Sequence, residues 1–185
     1  MTAAGLLADA RLDITRLRGH IDGLAPDARV AEVVSLSASL QKRLWEITSA
    51  APALDGTLLS PGSRSTVFAG RNSLRLWTRF EKSFTRLGTS TVGYNRHPLS
   101  WLIGPGYFTV EPDQQGQLRF DYDRVPPETP PGWPAVVANA GTFSGAVYGH
   151  LSDRVAWVAA DVLIGAAYRL GRPLDSYFVL ARRPG

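Results

Sequence analysis

The chain has 185 residues, a formal net charge of +4 and no cysteine. That length buries a sizeable core without staples and favours one domain with an appended helical element over two independent domains. The missing thiols exclude disulfides, thiolate metal ligands and a thiol nucleophile.

Asp9, Arg11 and Asp13 interrupt the apolar core that a secretory leader requires, so a cytosolic protein is expected. Leu7, Ala10, Ile14, Leu17, Ile21 and Leu24 recur at steps of three and four, which places them on one stripe of a helix that Gly23 and Pro26 end. A second helix is expected from an Asp27 N-cap, with Val33, Leu36, Leu40, Leu44 and Ile47 on one face before Pro52. Residues 1–52 therefore read as a hairpin of two helices, each about five or six turns long. Its shared stripe must pack on itself, on a sheet or on a second subunit in a homodimer.

Residues 53–64 are turn-rich and read as a linker to a β domain over 65–185. All but one of the eighteen aromatic residues lie from Phe68 onward, the exception being Trp45. A half-buried strand is expected over Leu74–Glu81, where Leu74, Leu76 and Phe80 alternate with Arg75, Arg79 and Glu81, although Trp77 breaks the pattern. Seven basic residues between Arg64 and Arg96, Lys82 among them, face a single acid, Glu81; such a strip could meet phosphates, an acidic lipid surface or a carboxylate substrate, and it reads first as a solvated outer face. No nucleic-acid module accompanies them, and specific nucleic-acid binding is not expected.

Further strands are expected over Thr89–Tyr94, over Ser100–Val110 with a break at Gly104–Gly106, and over Gln117–Asp123. In the last of these Leu118, Phe120 and Tyr122 face one way, and Asp121 and Asp123 read as solvent-facing. Residues 125–134 hold five prolines and form a surface loop; Trp133 on it is either a lid or a ring tucked against the barrel wall. Thr142–Trp157 has no clean period and reads as a short helix followed by a strand. The chain closes with a hairpin, strands near 161–170 and 175–183. Val155–Tyr168 is too short to span a bilayer and is broken by Asp161, which marks a turn or pairs with an arginine such as Arg96, Arg154 or Arg169.

About six to eight short strands suffice for a curved or closed antiparallel sheet, so the fold class is α+β, a two-helix hairpin leading into a barrel-like sheet. The strand spacing over 65–183 and the closing segment Tyr177–Arg182 resemble the calycin-like barrels, the group of lipocalins and fatty-acid-binding proteins. The lipocalin Gly-x-Trp of the first strand is replaced here by Phe68-Ala69-Gly70-Arg71. This resemblance implies an interior cavity for a hydrophobic small molecule and no catalytic residue.

Binding of an apolar or amphipathic small molecule is the first reading. Phe80, Tyr107, Phe120, Tyr122, Tyr168 and Phe178 would line the cavity, with Trp101 and Trp133 beside them and Arg79 and Arg96 for an anionic head group. The alternative is a cofactor-independent cyclase or isomerase. Its acid–base groups would be Tyr94 and His97, or His150 and Asp153, which share a face if their segment is helical. A third reading is an interaction module whose barrel is filled by its own side chains. Gly-x-Ser-x-Gly, a Walker loop and paired histidines are absent, so no metal or cofactor is expected.

Overall fold

The computed structural model describes the whole chain except residues 10, 50–55, 63, 98, 99, 114–116, 138, 140 and 141, and the side chains of 101, 142 and 143. Four helices precede the sheet: α1 (Ala3–Ala8), α2 (Ile14–Asp22), α3 (Pro26–Val33) and α4 (Ala38–Thr48). The two long helices expected are each cut in half. Capping explains both cuts, because the Asp13 carboxylate takes the Thr15 N–H to start α2 and the Ser37 hydroxyl takes the Leu40 N–H to start α4. Asp27 lies in the first turn of α3 and is not its N-cap, a position held by Ala25 before Pro26.

A 3₁₀ turn at Gly56–Leu59 follows, and then eight strands: β1 (Thr66–Asn72), β2 (Arg79–Leu87), β3 (Ser90–Arg96), β4 (Tyr107–Pro112), β5 (Leu118–Asp121), β6 (Leu151–Ala159), β7 (Val162–Arg169) and β8 (Arg172–Arg182). Each pairs antiparallel with its neighbour in sequence, and β1 pairs with β8, so the sheet closes into an up-and-down barrel with no free edge. The α+β class holds. Short helices α5 (Ser100–Ile103) and α6 (Thr142–Tyr148) interrupt the β3–β4 and β5–β6 connections. The expected helix and strand over 142–157 are thus present, whereas 100–110 is a helix and a strand.

The strand expected from Leu74 begins only at Arg79. Residues 73–78 form a loop in which Asn72 accepts the Leu74 N–H and donates to the Trp77 carbonyl, and Trp77 holds φ 49°, which no strand accommodates. Asp121 is likewise buried, contrary to its expected exposure, because Arg119 pairs with it and its carboxylate accepts the Asp123 N–H. Asp161 combines the two readings offered for it: it sits in the β6–β7 turn at φ 63° and pairs with Arg29 and Arg182, not with Arg96, Arg154 or Arg169.

Two cores share the barrel wall. Outside it, Leu6, Leu7, Leu17, Ile21, Val33, Leu36 and Leu44 of the helices pack on Val158, Val162, Ile164, Val179 and Ala181 of β6–β8. Inside it, Phe68, Phe84, Phe108, Phe120, Leu163, Phe178 and Leu180 pack together with Leu59 from the 3₁₀ turn. Strands β6 and β7 are therefore covered on both faces, which is why Val155–Tyr168 reads as a nearly unbroken apolar run. Some interior rings meet edge to face, Phe68 with Phe84 at 5.4 Å and Phe84 with Phe108 at 5.7 Å, while Phe108 stacks on Phe120 at 4.9 Å. They are seated on glycines: a side chain at Gly93 would overlap the Phe108 ring, and one at Gly165 the Phe178 ring.

The helical stripe is consumed by the barrel. Leu17 on α2 is fully buried in the outer core, so Leu17→Ala should cost about 2–5 kcal/mol in urea unfolding. Leu58→Ala, at an exposed side chain, should stay within about 0.5 kcal/mol. Equal effects of the two would show that the helices do not stabilise the barrel.

Candidate functional site

Strand alternation sends Phe80, Lys82 and Phe84 of β2 to the barrel interior, so the single lysine of the basic stretch is only 2% exposed. It does not belong to the outer strip expected of it. Its ammonium donates to the Asn95 side-chain oxygen at 2.7 Å, to the Tyr122 hydroxyl at 2.5 Å and to the Asp153 carboxylate at 3.2 Å. Tyr122 in turn donates to Asp153 at 3.0 Å, and the Asn95 amide donates to the Tyr122 oxygen at 3.2 Å. Register explains the assembly, for Lys82 lies opposite Asn95 across β2–β3 and Asp153 lies opposite Phe120 across β5–β6.

Three acceptors satisfy all three N–H bonds of the ammonium. The faces of Phe108, Phe178, Tyr122, Phe120 and Phe80 surround it at 4.8–5.6 Å from Nζ to ring centroid. Burial pushes Lys82 below its ordinary pKa and Asp153 above its own, while the attraction between them opposes both shifts. Burial also raises the Tyr122 phenol well above its usual range.

At the same end of the barrel His97 leaves β3, and its Nε2 lies 3.0 Å from the Tyr148 hydroxyl. Burial, and secondarily the positive charge of Lys82, lower its pKa, so the imidazole is neutral at pH 7. Tyr148 stacks on Tyr122 at 5.4 Å, and burial pushes its phenol up to about 12. The ring needs Gly106 beneath it, where a side chain would overlap the phenol and φ is 55°. A pocket of about 380 Å³ opens over these groups, lined by Tyr94, Asn95, Arg96, His97, Ser100, Pro105 and Pro134.

The other candidate residues fall in several places. Phe80, Phe120, Tyr122 and Phe178 point inward with Lys82. Tyr107 points outward, where Trp133 lies 6.1 Å from it and 4.6 Å from Tyr94; the tryptophan is tucked on the wall, its indole donating to Ser65. Tyr168 also faces outward, under the Arg154 guanidinium at 4.7 Å. Arg79 is exposed at the start of β2, and Trp101 lies in α5 with its side chain outside the described residues. His150 and Asp153 do not share a face: the segment is a turn and a strand, so His150 stands in solvent beside Asp123 while Asp153 points inward.

A larger pocket, about 760 Å³, lies between α2 and the β6–β7 turn at the opposite end. Size favours it, and the buried Trp157 indole N–H in its lining has no hydrogen-bond partner among the described residues, but its charged groups are committed to structure: Arg18 donates to the Val158 carbonyl, Asp22 accepts the Ala160 N–H, and Arg182 binds Asp161 and the Leu58 carbonyl. The smaller pocket has the chemistry. No match was found to a family model, to a curated protein or to a solved structure.

Lys82→Met alone should destabilise the protein by about 3–5 kcal/mol, because Asp153 is left buried without its cation. Adding Asp153→Leu should recover most of that loss in a double-mutant cycle measured by urea unfolding. Additive losses would show that the two groups are not energetically paired.

The lowered pKa of His97 fixes a pH dependence. Between its folded value and the ordinary imidazole value of 6.5 the unfolded chain binds more protons, so stability is complete above that window and falls as pH drops through it. His97→Gln should flatten this part of the melting-temperature profile, and an unchanged slope would assign it to other groups.

Proposed function

We propose that the protein binds a small amphipathic molecule, an apolar body with an anionic head, in the pocket at the His97 end of the barrel. The observation that carries this reading is the composition of that pocket. The Tyr94 ring and two prolines give an apolar wall, Asn95 and His97 give buried polar contacts, and Arg96 stands at the rim with 55% of its side chain exposed. Glu81 is shared between Arg96 at 3.4 Å and Arg183 at 2.7 Å, so the group keeps one net positive charge for a carboxylate. The packed phenylalanine interior supports a ligand held at the mouth rather than deep inside.

A second reading has its own support. Asn95 belongs both to the pocket wall and to the Lys82–Tyr122–Asp153 network, and His97 is a neutral imidazole beside Tyr148. Such an arrangement suits a cofactor-independent isomerase or cyclase, in which His97 accepts a substrate proton and the buried groups stabilise the charge that develops.

Calorimetric titration with 1-naphthoate tests the binding reading and should give a one-to-one complex. Arg96→Ala should weaken it by about 1–3 kcal/mol, whereas Leu58→Ala in the other pocket should leave it unchanged. The opposite pattern, or no heat with any aryl or alkyl carboxylate, would refute the assignment. If the protein turns a substrate over, His97→Gln should lower the rate by ~100-fold while affinity stays within a few fold.

A further inference from the structure

The β1–β2 loop and the β7–β8 turn lie at the same end of the barrel as the His97 pocket, and they display large apolar side chains to solvent. Leu74, Leu76 and Trp77 on the first are 55%, 67% and 66% exposed, and Leu170 and Leu174 on the second are 73% and 44% exposed. Single exposed leucines are ordinary, but five large apolar residues on two neighbouring tips are not. The base of the first loop is tied to β8, the strand that leads away from the second: Asn72 is in register with Phe178, the Ser73 N–H donates to the Tyr177 carbonyl, and the Tyr177 N–H donates to the Ser73 hydroxyl.

Neither tip is slack. The Asn72 N–H donates to the Thr78 carbonyl across the first loop, and Asn72 also fixes Leu74 and Trp77. Trp77 and Leu170 both hold left-handed backbone, at φ 49° and 51°. That conformation is unfavourable for large side chains, and here it holds apolar groups out of the fold, where they contribute nothing to its stability. Leu170 shares its positive φ with Gly171 as the two-residue β7–β8 hairpin requires, so the exposure of these side chains, not their backbone, is what calls for an occupant.

Charge indicates what the occupant is. Arg75, Arg79 and Arg172 rise from the same two tips, and among the described residues none of them has an ion pair. The acid on the tips, Asp175, is held by Lys42 at 3.0 Å and by the Tyr177 hydroxyl at 2.9 Å, and Glu46 of α4 faces the same Lys42. The surface is thus apolar at its points and cationic at its flanks. It consists of two projecting turns rather than a groove, so it suits a soft surface that side chains can enter more than a rigid protein requiring a matched hollow. Tryptophan and leucine at the interface with arginine at headgroup level is the composition that anionic bilayers favour. No helix among the described residues is long and apolar enough to cross a membrane, so these tips would supply contact from one side.

We infer that the tips at 74–77 and 170–174 dock the barrel onto an anionic lipid surface, the arginines meeting phosphate and carboxylate headgroups while Leu74, Leu76, Trp77 and Leu170 enter the acyl boundary. The inference stands independently of the ligand pocket. Co-sedimentation with vesicles of phosphatidylcholine and phosphatidylserine in equal parts tests it, with pure phosphatidylcholine vesicles as the control. The expected result is binding to the anionic vesicles, weakened at least tenfold by raised salt and by the double substitution Arg75→Ala, Arg79→Ala. Leu76→Ser with Trp77→Ser should abolish it while leaving the melting temperature unchanged, because both side chains are already in water. The lipid assignment is overturned if the wild-type protein stays in the supernatant, or if the Leu76, Trp77 variant binds as well as wild type. It is also overturned if light scattering shows a dimer that the same substitutions dissociate, since the occupant would then be a second copy.

Discussion

One cation inside a ring of phenylalanines sets the terms for the rest of the barrel. An ammonium removed from water is tolerable only where every N–H has an acceptor and a counter-charge lies within hydrogen-bond reach. Lys82 meets that condition by drawing on β2, β3, β6 and the residue that follows β5. The acceptors come from strands far apart in sequence, and only a closed sheet brings them to one point. Closure and the buried charge are therefore mutually dependent. A flattened sheet would leave Asp153 and Lys82 on separate strands in solvent.

The rest of the architecture keeps water from that point. Phenylalanines on glycine seats fill the interior behind Lys82, and Tyr148 over Gly106 closes the space in front of it. On the outside the helices cover β6–β8, and the Pro-rich segment lays Trp133 over Tyr94 and Tyr107. The Tyr107 hydroxyl completes that contact by donating to the Pro134 carbonyl. Among the described residues, the small pocket bordered by Asn95, His97 and Arg96 opens at this end of the barrel.

Much of the fold was legible in the sequence because its signals are local. The change from helical to alternating pattern near residue 65, the strands at β3 and β5, and the closing hairpin all follow from spacing of apolar residues and turns. The helix breaks were harder to read, since the apolar stripe runs on through Asp13 and Ser37 and only the caps reveal the interruption. The alternation of Leu74 and Leu76 also misled, whereas Trp77, which breaks that pattern, sits where the backbone turns. The site was less legible. Lys82 was counted by its charge among outer arginines, yet Phe80 and Phe84 two residues either side place it on the inward face, and that signal was present. Nothing in the sequence pairs it with Asp153, 71 positions away, because that contact follows from register around a closed ring.

The strands of that ring are not equal. β5 is only four residues long, Leu118–Asp121, and contributes no residue to the outer core that the helices cover. Arg119 braces it by pairing with Glu111 and Asp121, but its ladders to β4 and β6 have four paired positions each, as few as any in the closed sheet and equal to β3–β4. Proteins open locally where the fewest interactions must break, and Tyr122 follows this strand directly. An opening of β5 would carry Tyr122 off Lys82, so the hydration of this buried charge is coupled to the smallest strand of the ring.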